Sequence, residues 1–227
     1  MQRSKACLVA LSLIALAVAP SLAAAGTFGA EVYGGFNTYS MSDVNDITSD
    51  LNTTSGTNFD KVSSGLSVGL GLRTWANQSW LISASWEPLF ANTESSSTSQ
   101  KVNLDANTFS VSGTYFMPST TNAKYGFGAG VGYYSISGET EDPTATPTTS
   151  KIEGSGAGFH LAGVGEWTVN KNWAFTGSAG YRIASIEMKD ENGNKVQTPT
   201  GDNATADYSG FIGRAGVVMY FPSSKSK

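Results

Sequence analysis

Asp207 to Phe221 reads D-Y-S-G-F-I-G-R-A-G-V-V-M-Y-F. From Phe211 onward the odd positions are Phe211, Gly213, Ala215, Val217, Met219 and Phe221, while the even ones include Arg214 and Gly216. Successive side chains of a strand point to opposite faces, so this segment is a strand with one apolar face and one face that sets an arginine beside glycine. A soluble protein would turn the apolar face to a core. What that face meets here is decided by the rest of the chain.

Seven further stretches read as strands: Phe28 to Met41, Gly65 to Ala76, Ser79 to Phe90, Lys101 to Met117, Lys124 to Ser137, Gly156 to Val169 and Asn172 to Lys189. Leu66, Val68, Leu70 and Leu72 alternate with Ser67, Gly69, Gly71 and Arg73. Tyr125, Phe127, Ala129, Val131 and Tyr133 alternate with Gly126, Gly128, Gly130 and Gly132. The phase slips between Leu104 and Phe109 and again near Ile186, which reads as a bulge or as a loop beginning above a membrane. Connections alternate in length. Long polar segments cover Ser42 to Ser64, Ala91 to Gln100, Gly138 to Ser155 and Asp190 to Ala206, and only short turns fall between them, at Asn77-Gln78, Pro118 to Ala123 and Asn170-Lys171. Long outward loops and short periplasmic turns are the pattern of a membrane barrel. The expected fold class is therefore all-β, an eight-stranded antiparallel up-and-down transmembrane β-barrel.

Composition agrees, with 26 Gly, 11% aromatic and 14% charged residues. Arg3 and Lys5, an apolar run from Ala6 to Ala19, then Pro20 and Ala23-Ala24-Ala25 describe a secretory signal peptide over residues 1–25. A membrane anchor helix is the rival reading of that run, and Pro20 with the small residues after it favours cleavage. The barrel then occupies 26–221 and a short periplasmic tail 222–227. Cleavage removes Arg3 and Lys5 but none of the 18 acidic residues, so the exported chain is more acidic than the net −4 of the whole. Nucleic acid, which needs a basic stripe, is excluded as a partner. The one cysteine, Cys7, lies in the signal, so no disulfide supports the fold. If the chain sits in a membrane it does so as a closed barrel, because only helices and closed barrels satisfy every backbone group in lipid.

Aromatic rings gather beside the short turns. Trp75 and Trp80 flank the first and Trp167 and Trp173 the third, as an interfacial girdle would require. Tyr39, Trp86, Phe90, Tyr133 and Tyr208 are expected in the opposite girdle. The short turns and the tail carry Lys124, Lys171, Lys225 and Lys227 without an acid, whereas the long loops hold most of the acids and read as flexible.

With signal, strands and girdle in place, G-F-G-A-G-V-G-Y-Y at Gly126 to Tyr134, F-H-L-A-G-V-G-E-W at Phe159 to Trp167 and D-Y-S-G-F at Asp207 to Phe211 resemble the small OmpA-like, OmpX-like and opacity-type outer-membrane β-barrels. Arg214, Gly216, Met219 and Phe221 look like that family's C-terminal assembly signal, which implies the barrel assembly machinery as a partner during biogenesis. The resemblance also implies the outer membrane as the location, with its lipid and lipopolysaccharide as surroundings and extracellular ligands reached through the loops. It leaves function open, since members include anchors, adhesins, small-solute channels and lipid-modifying enzymes.

Counted on the inner face are Glu31, Glu87 and Glu166 against Arg73, Arg182 and Arg214, with His160 beside them. Buried charges are costly unless paired, so these read as ion pairs plugging a lumen only wide enough for side chains to fill. Glycines of the second and fifth strands would make room for the long arginines. A thin conducting path is the alternative. His160 lacks the Ser-His-acid spacing of a lipid A deacylase, because Ala162 stands two residues on, so no catalytic residue is assigned. With one histidine no zinc site is expected, nor any cofactor. Asp190-x-Asn192-x-Asn194 resembles the start of a calcium loop, but Lys195 and Gly201 break it, and Asn192-Gly193 reads as a tight turn. A soluble lipocalin-like carrier is the architectural rival; it would keep its apolar faces inside.

Overall fold

The period-two segments become strands in a computed structural model that describes residues 27–97, 101–141 and 149–221. The expected signal peptide and the tail lie outside the described residues. Eight strands build the wall: β1 (Phe28–Thr38), β2 (Ser64–Trp75), β3 (Trp80–Leu89), β4 (Lys101–Phe116), β5 (Ala123–Glu141), β6 (Thr149–Thr168), β7 (Trp173–Ile183) and β8 (Gly210–Phe221). Each pairs antiparallel with the next, and β8 pairs with β1 from Phe28↔Phe221 to Asn37↔Ile212, which closes the sheet. Closure leaves the barrel wall without an edge strand. Two of the short turns are built alike. Asn77 Oδ1 accepts from the backbone N–H of Ser79 and Trp80, and Asn170 Oδ1 from those of Asn172 and Trp173.

Burial is inverted relative to a soluble protein. Val32, Leu66, Val68, Leu70, Leu72, Phe127, Val131, Phe175 and Ile183 point outward and are more than half exposed, while Arg73, Glu87, Glu166 and Arg182 are buried inside. That inversion stops part-way up the wall. The pairing of β4 with β5 runs unbroken from Phe116↔Gly126 to Lys101↔Glu141, so there is no bulge where the sequence slips phase. What changes is the medium on each side: above Thr108 the inward residues Val102, Leu104 and Ala106 are apolar and buried. On the other side of the barrel Ala184, Ile186 and Met188 follow Arg182 on the same inward parity and are buried too, while the ladder passes to a short strand, Ser185–Glu187, paired with Thr205–Asp207. β5 and β6 run to 19 and 20 residues, whereas roughly 9–11 suffice to span a bilayer, so the wall rises well beyond it. Much of the expected third loop is thus hairpin.

The first and fourth loops are folded rather than loose. The first contains a helix, α1 (Ser42–Thr54), whose Val44, Ile47, Thr48 and Leu51 turn inward at helical spacing. Its two asparagines clip it to the chain that follows. Asn45 exchanges two hydrogen bonds with the backbone of Val62, at 3.1 and 2.8 Å, and Asn52 does the same with Phe59, at 3.1 and 2.8 Å. Asp43 accepts from the Thr205 backbone and hydroxyl, which joins α1 to the fourth loop. Under this cap lies one apolar core that includes Met41, Phe59, Leu89, Leu104, Ile136, Ile186 and Met188. Tyr39 and Tyr208 belong to it, ring on ring at 5.4 Å, so they are core residues and not girdle residues. Both stand on the inward parity of their strands. In the fourth loop Asp190 accepts from the backbone N–H of Asn192 and Asn194, and Gly193 adopts φ +84°, the tight turn read from the sequence. The hydrogen bond from the Asn194 side chain, with those backbone donors, holds the Asp190 carboxyl below its usual range.

Leu104 is fully buried in the capped core, so Leu104→Ala should destabilise the barrel by about 2–5 kcal/mol, read as the shift in a reversible urea-unfolding curve.

Candidate functional site in the barrel lumen

Inward side chains fill the lumen in layers, starting from the short-turn end. Trp75 is at an odd position in β2, whose odd residues face in. It therefore seals the end of the lumen beside Phe116, 5.1 Å away ring to ring, instead of joining the girdle with Trp80, Trp167 and Trp173, which are exposed on the outer wall. Lys124 Nζ sits 4.3 Å from the centre of its ring, while Ala174, Val218 and Tyr220 pack behind it.

Above this seal Arg73 bridges two carboxylates. Its guanidinium donates to Glu31 at 3.2 Å and to Glu166 at 2.9 Å. Tyr220 O–H donates to Glu166 at 2.6 Å, and Thr176 O–H to Glu31 at 2.6 Å. Higher up, Arg214 donates to both oxygens of Glu87, whose Oε1 also accepts from Ser67, itself held by Asn37. Tyr33 lies beneath Arg214, 5.4 Å from guanidinium to ring centre. Between the two clusters remains a cavity of about 90 Å³, lined in part by Tyr33, Ser83, Ser85, Ser110, Ser112 and His160. It is polar and has room for several waters.

The third arginine is arranged differently. Arg182 is buried, donates from Nε to the Tyr208 carbonyl at 3.0 Å, and lies 6.0 and 5.9 Å from the rings of Tyr39 and Tyr134. Among the described residues no carboxylate reaches it. The three arginines and three glutamates read from the sequence therefore do not pair one to one: Arg73 takes two acids, Arg214 one and Arg182 none. Aromatic faces attract a cation strongly where water is excluded, and Arg182 has them in place of an acid.

At Gly69 and Gly130 the missing side chain makes room for a ring, not an arginine. A Cβ on Gly69 would stand 2.1 Å from the Tyr33 ring, and one on Gly130 would stand 2.5 Å from that of His160. His160 is buried beside Ser112, but the Ser112 hydroxyl pairs with Ser83 at 2.8 Å. Of the four residues of the assembly-signal pattern, Arg214 and Gly216 face the lumen while Met219 and Phe221 face out, Phe221 against Phe28 with ring centres 6.0 Å apart. Sequence reading missed Ser67, Thr176 and Tyr220, which donate to the carboxylates. Their signal was present as polar groups on the inward parity, but which carboxylate each serves depends on strand stagger.

A closed barrel with a polar interior, a broad apolar outer wall and exposed Trp80, Trp167 and Trp173 near one rim is a transmembrane β-barrel. No protein-family model matches the sequence, and no curated protein matches it. Solved structures do. Neisserial surface protein A aligns with a TM-score of 0.50 at 12% identity, covering 86% of this chain and 97% of its own. A major outer membrane protein from Thermus thermophilus gives 0.51 at 14%, covering 86% and 99%. The outer membrane protein OprG from Pseudomonas aeruginosa gives 0.51 at 13%, covering 87% and 96%. The chain has the fold of the small eight-stranded outer-membrane barrels.

Removing Arg73 leaves Glu166 buried and Glu31 partly buried, neither with a counter-charge. Arg73→Ala should therefore cost about 3–5 kcal/mol, part of it restored by adding Glu166→Gln, as measured by urea unfolding of the refolded barrel.

Proposed function

We propose that this protein is a non-enzymatic surface barrel with a closed lumen, whose working surface is its folded extracellular end. The observation that carries this is closure at three levels: the Trp75 seal, the two carboxylate clusters, and the apolar core beneath α1. An apolar core excludes water and ions, so the capped end blocks passage even where the polar cavity below is wet. That same closure denies a substrate access to His160. Lipid and lipopolysaccharide surround the wall, the barrel assembly machinery meets β8 during insertion, and an extracellular ligand meets the loops. There Asp46, Asp50, Glu191 and Asp202 are exposed on a framework that α1, Asn45 and Asn52 hold in place. Such a preordered surface loses little entropy on binding.

The second reading, a narrow channel for small solutes, is favoured by the cavity of about 90 Å³ between the clusters. Single-channel recording of the refolded barrel in a planar bilayer decides between the two. A closed barrel gives no unitary steps. Stable steps whose size changes in Arg182→Ala would overturn the closed-lumen reading and establish the channel.

A further inference from the structure

The lipid-facing wall is uneven. Across β3 to β6 it carries a hollow of about 330 Å³, floored by Gly113 and Ala129 and walled by Ile82, Val111, Val131 and Phe159. The register sets these together: Ile82 pairs with Gly113, Gly113 with Ala129, Val111 with Val131, and Val131 with Phe159. One outward position nearer the short turns stand Trp80 and Tyr115, ring to ring at 5.4 Å. One position beyond Val111 and Val131, toward the loops, stand Phe109 and Tyr133, with Trp86 paired to Phe109. The hollow thus lies between aromatic rows, at the depth of lipid tails and not of headgroups.

Gly113 is not there for the sake of the backbone. It lacks a positive φ, and a Cβ built on it meets nothing within 4 Å. Inward Gly126 and Gly180 behave differently: a Cβ there would strike the backbone oxygen of Tyr115 or Leu161. Crowding forces those glycines. At Gly113 the missing side chain leaves space outside the barrel.

We propose that this hollow holds one acyl chain of a membrane phospholipid, retained there longer than the chains around the rest of the wall. The occupant has to be apolar, since the hollow opens among lipid tails and the Ser112 hydroxyl is engaged with Ser83 in the lumen. A second copy fits poorly, because a two-fold axis through this face would set hollow against hollow and double the gap. A flexible chain follows the walls and recovers dispersion contacts that an empty hollow forfeits. The inference is independent of whether the lumen conducts.

The test is native mass spectrometry of barrel refolded in palmitoyl-oleoyl phosphatidylethanolamine vesicles and extracted into detergent. Wild type should keep one phospholipid. Gly113→Leu with Ala129→Leu, which fills the hollow, should lower that retention several-fold, while Val68→Leu on another face should leave it unchanged. Heat-modifiable gel mobility reports folding, and Ala129→Leu alone serves if the double variant does not fold. Wild type without retained lipid, or equal retention in the filled variants, overturns the proposal. A wild-type dimer that the filling variants lose would also overturn it, assigning the hollow to a second copy.

Discussion

Hydrocarbon offers a backbone amide no hydrogen-bond partner, and the pairing of the last strand with the first answers that constraint. Until β8 meets β1, two strands would each present a row of unpaired groups to lipid. Once Phe28 lies opposite Phe221 and the ladder runs to Asn37 and Ile212, none is left on the barrel wall. Closure also creates the lumen. An eight-stranded barrel is narrow enough for its own side chains to fill, so the inward parity of every strand contributes to one shared interior. A charge there is far from water and is stable only if the opposite wall supplies a partner. Arg73 on β2 illustrates this, reaching Glu31 on the neighbouring strand and Glu166 across the barrel on β6.

The same wall obeys two opposite rules along its length. Through the bilayer the outward residues are apolar and the inward ones polar. Beyond it the outward residues meet water, and the inward ones become the core of what is in effect a small soluble domain. The register does not change at the crossing, as the unbroken β4–β5 ladder demonstrates. Thr108 to Ala106 on β4, and Arg182 at the end of β7 to Ala184 just past it, therefore mark where the lumen turns from polar to apolar. α1 is needed because a barrel mouth is otherwise an open end of that core. It lays Val44, Ile47 and Leu51 across the opening and keeps Asp46 and Asp50 in water.

This doubling explains what could be read in the sequence and what could not. Strand number, the alternation of long and short connections, and the inward set of Glu31, Arg73, Glu87, His160, Glu166, Arg182 and Arg214 all follow from parity, and parity is printed in the chain. The cap was missed because Ser42 to Ser64 is rich in Ser, Asn, Asp and Thr, which read as loop, although Val44-x-x-Ile47-Thr48-x-x-Leu51 carries helical spacing. Trp75, Tyr39 and Tyr208 were misplaced for a different reason. Nearness to a turn or loop suggests the girdle, but all three stand at inward positions. Pairing among the charges was not legible at all, since it depends on strand stagger around the barrel.

The uneven pairing then has a physical reading. The lower cluster sets one arginine against two acids and the upper region two arginines against one acid, so the lumen is balanced as a whole but polarised along its axis. Arg182 is the group that this arrangement leaves without an acid, and it is also the one adjoining the apolar core. An ion pair at that boundary would place a second charge against hydrocarbon side chains, with a second desolvation cost. A carbonyl and two aromatic rings hold the guanidinium with no further charge, and Tyr208, which supplies the carbonyl, donates its hydroxyl to the Leu104 backbone at 2.7 Å. The arginine that lacks an acid is in this way the one that fastens the polar lumen to the cap above it.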